Sequence, residues 1–189
     1  MSDHLKKLAL FGGLVGLCVA GRLLPHPPNF TPMAATALFA GFLFRRRAAA
    51  LAAVVTAMVA SDLFTGFYQP GVMATVYLAL LFPLSCRGVL RSQPTAVRVG
   101  VCAAASSVVF FLATNLAVWW FSGMYPATPA GLAGCYTAAL PFFKYTLAGD
   151  LLWSAVLFGT YFLCTSRRLA GWLSEPGRPA ADRAPTAGL

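Results

Sequence analysis

Six long apolar segments alternate with short polar loops along the chain. The apolar positions form continuous runs instead of alternating, which favours helices over the strands of a β-barrel. A helix needs roughly 20 residues to cross a bilayer, or about 17 in a tight case. The segments are residues 8–24, 32–44, 48–64, 72–86, 99–121 and 141–164. The pattern predicts an all-α, six-helix transmembrane bundle whose second and fourth helices are short.

The composition agrees with a membrane protein. Apolar residues make up 59% of the chain and charged residues only 10%, whereas a soluble domain has about a quarter charged residues. We expect one transmembrane domain over residues 1–172. Residues 173–189 are polar and proline-rich, which is typical of a disordered tail.

The charges predict the orientation of the bundle. The net charge is +9, and twelve of the fourteen basic residues lie in alternate loops or at the termini. The other loops, near residues 25–31, 65–71 and 122–140, contain no Lys or Arg. The positive-inside rule then places both termini in the cytoplasm. Because the charge is divided among loops, the pattern argues against nucleic-acid binding.

Four charged residues interrupt the apolar segments. Arg22, Asp62, Lys144 and Asp150 all lie in the half of their segments that faces the outer side. Charges inside a bilayer are costly and are functional candidates by default. Further polar and aromatic residues are predicted on the same side: His26, Asn29, Tyr68, Asn115, Trp119, Tyr125 and Tyr136.

Two helical faces predict a pocket for a small solute. Phe143, Thr146 and Asp150 recur at intervals of three and four, and Phe111, Asn115 and Trp119 recur at intervals of four. Such mixtures of aromatic and hydrogen-bonding side chains line ligand pockets.

Each residue of this pocket has an expected role. Asp62, Asn115 and Asp150 would hydrogen-bond the solute, and Lys144 or Arg22 would meet any negative group. Trp119 and Phe143 would stack on a flat ring. A structural salt bridge remains an alternative role for Asp62 and Asp150.

Two outer loops have distinctive sequences. Residues 25–32 contain four prolines in eight positions, and because proline stiffens the backbone we expect a rigid cap around His26. After residue 124, Thr128 or Pro129 is predicted to start a short interfacial helix over residues 130–140 that ends at Pro141.

Two rows of small residues, spaced by four, let helices approach closely in lipid. They are Gly12, Gly16 and Ala20, and Ala49, Ala53 and Ala57. Each row either packs helices within the chain or docks a membrane partner.

No motif for an enzyme or a resident cofactor is present. The sequence has no His-Glu-x-x-His, Gly-x-Ser-x-Gly or phosphate-binding glycine loop. Its five cysteines include no Cys-x-x-Cys pair, so no zinc site is predicted. Cys135 or His26 is the candidate ligand to a metal in a metal-bearing substrate. The leading hypothesis is solute capture, and the alternatives are a membrane scaffold and an intramembrane enzyme that uses Asp62 or Asp150.

Several motifs resemble one known family. The run RLLPHPPNFTP at residues 22–32 comes first, followed by Ser61-Asp62, the segment 115–119, the segment 131–136 and Gly149-Asp150. In this order and at this spacing they resemble the DUF6580 family of uncharacterised bacterial integral membrane proteins, over roughly residues 20–160.

That family in turn looks like the substrate-binding S-components of energy-coupling factor transporters. The resemblance implies a six-helix protein that binds a vitamin or metal ion from the outer side, for example a corrinoid. It also implies a docking face for a transmembrane partner that works with two ATPases. The alanine-rich docking motif of S-components has its nearest match here in Gly12, Gly16 and Ala20.

Overall fold

The computed structural model describes residues 3–173, and every regular element in that range is helical. A 3-10 helix, Phe82–Cys86, connects α4 to α5. The α-helices are α1 (Asp3–Leu23), α2 (Met33–Leu43), α3 (Arg47–Thr65), α4 (Pro70–Leu81), α5 (Arg87–Ser92), α6 (Ala96–Phe121) and α7 (Pro129–Leu173). The all-helical prediction is therefore confirmed for the described residues. The predicted tail lies almost entirely outside them.

Four helical stretches among the described residues are long and apolar enough to cross a bilayer. They are Arg47–Thr65, Pro70–Ser92, Ala96–Phe121 and Pro129–Ser166. This finding is consistent with a multi-pass membrane protein. The full six-span arrangement stays a prediction.

Helix α2 forms the centre of the bundle. It has only 11 residues, so at about 1.5 Å per residue it is about 17 Å long and cannot cross about 30 Å of hydrocarbon by itself. Every residue from 33 to 41 is buried, and α2 packs against α3, α7 and the 3-10 helix. A helix that is apolar on all sides lies in a protein core or in a membrane, and the contacts of α2 place it in the core of this bundle. The sequence predicted a short helix within residues 32–44, and α2 covers 11 of these 13 positions; its crossing of the membrane stays a prediction.

Two apolar clusters surround α2. The first joins Leu38 and Phe39 to Leu14, Leu90 and Phe158, and the Phe39 and Phe158 rings meet edge to face at 5.2 Å. The second joins the start of α2 to α1, α3 and α4, and its buried members include Cys18, Met33, Met58 and Leu80. The second cluster lies beside the cavity described below.

Arginines close the end of the bundle at the C-terminus of α2. The Arg91 guanidinium donates to the carbonyls of Phe42 at 2.8 Å and Leu43 at 3.3 Å, and Arg87 donates to the carbonyl of Arg45. The last carbonyls of a helix lack intrahelical partners and attract cations. The basic loops therefore stabilise α2 in addition to any effect on orientation.

The proline-rich segment packs closely on α1 and α7. A side chain at Gly21 would overlap the Pro32 ring, and a Cβ at Gly149 would lie 3.1 Å from the Phe30 Cα. Within the segment, the amide of Phe30 donates to the carbonyl of Pro27 at 3.0 Å, and Asn29 has a φ of 61°. Both glycines thus allow the segment to lie against the bundle.

Helix α7 corrects the prediction for residues 130–140. It begins at Pro129, as predicted, and the amide of Gly131 donates to the Thr128 hydroxyl at 3.1 Å. It does not end at Pro141, which lies inside a single helix of 45 residues. Proline already has a helical φ, and membrane helices tolerate it because neighbouring groups replace the lost hydrogen bond. No separate interfacial helix forms.

The two small-residue rows have different surroundings. Ala53 and Ala57 are fully buried, because α3 packs against α1 and α2. Ala53 and Ala57 therefore pack helices within the chain, which is the first of the two roles predicted for this row, and Ala49 is partly buried. Gly12, Gly16 and Ala20 are exposed, so the row on α1 is accessible.

Candidate ligand-binding cavity

A cavity of about 500 Å³ lies at the end of the bundle opposite the arginines that cap α2. The end of α1, the proline-rich segment, the start of α2, and parts of α3, α4, α6 and α7 form its walls. Its polar lining consists of Arg22, His26, Asn29, Thr31, Thr65, Tyr68, Thr114, Asn115, Thr146 and Asp150. The apolar lining includes Met58, Val76, Phe110, Phe111, Phe142 and Phe143.

A buried ion pair supports one wall. Arg22 Nη1 lies 2.6 Å from Asp62 Oδ1 and donates to Ser61 Oγ at 2.7 Å. Asp62 is 0% exposed, and its Oδ2 accepts a hydrogen bond from the Tyr77 hydroxyl at 2.7 Å. The carboxylate of Asp62 therefore lies behind Arg22 and is neutralised by it.

Ser61 is oriented to receive Arg22. Its hydroxyl lies 2.8 Å from the carbonyl of Ala57 and 2.9 Å from that of Met58, and donates toward them. With its proton directed to the backbone, the oxygen presents lone pairs to the guanidinium. Within the described residues, every hydrogen bond and ion pair of the Arg22 side chain involves Nη1, which leaves the N–H groups on Nε and Nη2 available to a ligand.

Asp150 lies on the α7 side of the cavity. It is 3% exposed, and its Oδ2 accepts a hydrogen bond from Ser107 Oγ at 2.6 Å. Among the described residues, no Lys or Arg lies within 4.0 Å of this carboxylate. A buried carboxylate with only a hydroxyl partner is costly to keep charged.

The mouth of the cavity contains His26, Asn29 and Tyr68. His26 Nδ1 lies 2.7 Å from the carbonyl of Pro27. Because a carbonyl only accepts, Nδ1 carries a proton, and Nε2 remains for another partner. Burial, and secondarily the negative charge of Asp62, raise the pKa of Tyr68, so its hydroxyl stays protonated at neutral pH.

An aromatic wall lies between α6 and α7. The rings of Phe111 and Phe143 are 4.8 Å apart, and Tyr136 packs behind Phe111 at 5.7 Å. Asn115 lies one turn after Phe111 and donates to its carbonyl at 2.7 Å. This wall combines ring faces with the amide oxygen of Asn115.

The part of the chain that forms the cavity matches one known family. A model described as a family of unknown function, DUF6580, matches residues 2–174, which include every residue that lines the cavity. The chain belongs to this family. Neither the curated proteins nor the solved structures contain a match to it. The resemblance to DUF6580 is therefore confirmed, and the further likeness to S-components stays a prediction.

In this DUF6580 protein, seven of the twelve predicted binding residues line the cavity. They are Arg22, His26, Asn29, Tyr68, Asn115, Phe143 and Asp150. Asp62 lies behind Arg22, in agreement with the alternative of a structural salt bridge. The structure places these seven residues around one cavity. Their contact with a solute stays a prediction.

Four predicted binding residues do not line the cavity, and the prediction of their position is corrected. The Trp119 indole donates to the carbonyl of Pro126 at 2.9 Å, and the Tyr136 hydroxyl donates to that of Leu112 at 2.6 Å. The Lys144 ammonium lies over the Tyr145 ring at 4.9 Å, and this lysine is exposed. Tyr125 lies in the loop before α7. Trp119 and Lys144 are therefore not placed to stack on a solute or to neutralise it.

Other cavity residues were missed by the sequence analysis. Phe110 and Thr114 line the cavity beside Phe111 and Asn115, because the side of α6 that faces the cavity is two residues wide. Tyr77 holds Asp62 from α4. Phe110-Phe111 and Thr114-Asn115 are neighbouring pairs four residues apart, and this repeat would have indicated the wider face on α6. Nothing in the sequence singles out Tyr77.

The described residues contain no group of three His, Cys, Asp or Glu side chains that could hold a metal ion. Cys135 is buried, and its thiol lies 3.4 Å from the carbonyl of Asn115, outside the cavity lining. Cys135 is therefore not placed to ligate a metal in a bound substrate, which corrects that prediction. His26 remains at the mouth.

Proposed function

We propose that this protein captures a small solute in the cavity, as a multi-pass protein of the bacterial inner membrane. The observation that carries the proposal is the grouping of Arg22, Asn115 and Asp150 around one hollow in a bundle whose residues are mainly apolar. Its volume of about 500 Å³ lies within the range of about 300–1,000 Å³ that holds small organic ligands.

The proposed orientation places the cavity on the periplasmic side. All six apolar segments lie within the membrane, with α2 as a short, enclosed element and both termini in the cytoplasm. The arginines that contact the end of α2 lie opposite the cavity, and basic residues favour the cytoplasmic side. A solute would then enter past the proline-rich segment and His26.

The energetic argument rests on the cost of polar groups in a membrane. A polar or charged side chain inside the bilayer raises the free energy of the protein unless it is paired with another polar group. Arg22 has one in Asp62, but Asp150 has only Ser107 among the described residues. A solute that hydrogen-bonds Asp150 and Asn115, and packs on Phe111 and Phe143, would supply the missing interactions.

Docking to an energy-coupling partner with ATPases is part of the same proposal. The α1 row is exposed, and a Cβ at Gly12 or Gly16 would meet nothing within 4 Å. Such a surface allows close approach of another helix. The same observation favours the second candidate function, which is a scaffold subunit without transport.

An enzyme with paired aspartates receives no support from the contacts. Asp62 is engaged by Arg22 and Tyr77, and Asp150 by Ser107. No hydrogen bond in the described part of the chain joins the two carboxylates.

Blocking the cavity tests the proposed function. Ala139 lines it, whereas its neighbour Ala138 is exposed on another side of α7. We expect A139W to fill the cavity and to reduce solute retention at least tenfold. Purified protein in nanodiscs would be incubated with a water-soluble extract of the cells, washed, and analysed by mass spectrometry.

The matched control is A138W, which adds the same side chain outside the cavity. It should retain the same compound as the wild type. Equal retention by the wild type, A139W and A138W would contradict solute capture in this cavity.

A further inference from the structure

We propose that the solute held in this cavity is an organic cation whose positive group binds Asp150. This inference rests on the proposed function and specifies the chemical class of the ligand. The juxtaposition that carries it is a buried carboxylate without a cationic partner, facing an aromatic wall in the same cavity.

The charges around the cavity do not cancel. Arg22 and Asp62 form a pair at 2.6 Å and together contribute no net charge. Asp150 lines the cavity with only the Ser107 hydroxyl on its Oδ2. His26 and Tyr68, at the mouth, are the other titratable side chains of the lining, and the Tyr68 phenol is neutral. The ionised site therefore has one unbalanced negative charge, contributed by Asp150.

A cationic guest would restore the balance. A carboxylate that is 3% exposed has lost nearly all of its contact with water, and a single hydroxyl does not replace the lost hydration. A positive group placed at Asp150 gains an attraction that is strong because the surroundings are apolar. Ser107 holds the carboxylate in position, so little reorganisation is needed.

The aromatic residues suit the same guest. Phe110, Phe111, Phe142 and Phe143 all line the cavity, and Phe111 and Phe143 lie 4.8 Å apart. Ring faces attract cations, especially weakly hydrated ammonium groups, and also bind the apolar body of such a molecule. Neither the charge nor the rings alone would specify an organic cation, but together they do.

An anionic solute fits less well. The cation of the lining is Arg22, and its Nη1 already contacts Asp62 at 2.6 Å. An anion would gain only the remaining donors of Arg22 while sharing an enclosed space with the Asp150 carboxylate. Like charges in such a space repel strongly.

Calorimetric titration of the protein in nanodiscs of zwitterionic lipid would test the charge preference. The probes are benzyltrimethylammonium, neutral phenylacetamide and anionic phenylacetate, which share a benzyl group. We expect wild-type protein to bind the cation at least tenfold more tightly than phenylacetamide, and phenylacetate to bind most weakly. Absence of cation binding, or equal affinity for the three probes, would overturn the inference.

Variants of Asp150 test the assignment of the residue. D150N should weaken binding of benzyltrimethylammonium at least tenfold, and weaken it more than binding of phenylacetamide, whereas D150E, which keeps the charge, should retain most of the affinity for the cation. The control is S154A, a buried position one turn further along α7 that lines a different cavity. Unchanged cation affinity in D150N would also overturn the inference. If D150N does not fold, the selectivity of the wild type decides the matter.

Failure of this inference is distinguishable from failure of the proposed function. If phenylacetamide or phenylacetate binds best and A139W abolishes that binding, solute capture stands and the cation assignment is wrong. If A139W leaves the binding of every probe unchanged, both are wrong.

Discussion

R22M is expected to lower the free energy of unfolding by about 3–5 kcal/mol. The substitution removes the cation that lies 2.6 Å from Asp62, while Asp62 itself remains 0% exposed. Among the described residues, the Tyr77 hydroxyl would then be the remaining hydrogen-bond donor to that carboxylate. An uncompensated buried charge is far more costly than the loss of the attraction itself. The measurement is unfolding of the purified protein by increasing SDS in mixed micelles.

Two further variants test whether the loss of stability comes from breaking the Arg22–Asp62 ion pair or from the loss of an arginine in general. R46M removes a charge from an exposed position between α2 and α3 and should leave stability unchanged. The double variant R22M/D62L replaces both charges by apolar groups and should recover most of the stability lost in R22M. A double variant that is as unstable as R22M would show that the ion pair is not the source of the effect.

L38A is expected to destabilise the protein by about 2–5 kcal/mol, because it leaves a cavity at the centre of the bundle. Leu38 lies on α2, is 0% exposed, and belongs to the cluster with Leu14, Leu90 and Phe158. Lipid cannot refill a space enclosed by other helices, so the lost dispersion contacts are not replaced. The same SDS titration measures the change.

The matched control is L78A on α4. Leu78 is 68% exposed, and the same truncation there should change stability by less than about 0.5 kcal/mol. Equal effects of L38A and L78A would contradict a central position for α2.

The sequence predicted the helices well where apolar runs end at charges or prolines. Helices α3 and α6 fall close to the predicted segments because Arg47, Pro94 and Gly66 border them. The role of α2 was not predictable in this way, because a helix apolar on every side reads the same in lipid and in a protein core. Pro141 was misleading, because proline ends helices in water more reliably than in membranes.

The sequence predicted only part of the candidate site, because it does not show which side of each helix faces the cavity. Arg22 and Asp150 stand out because charges are rare in apolar segments, and both line the cavity. Lys144 was indicated by the same rule but lies on the exposed side of α7. The direction in which a helix faces depends on its neighbours, and α7 packs on α6 and α2. Periodicity alone does not specify those contacts.

Native mass spectrometry of the wild-type protein, released from detergent, tests the central claim most directly. Solute capture predicts a discrete additional mass of one small organic molecule per chain, and that mass should be absent from A139W and present in A138W. A wild-type protein that carries only lipid or detergent adducts, with the same spectrum in both variants, would contradict the account.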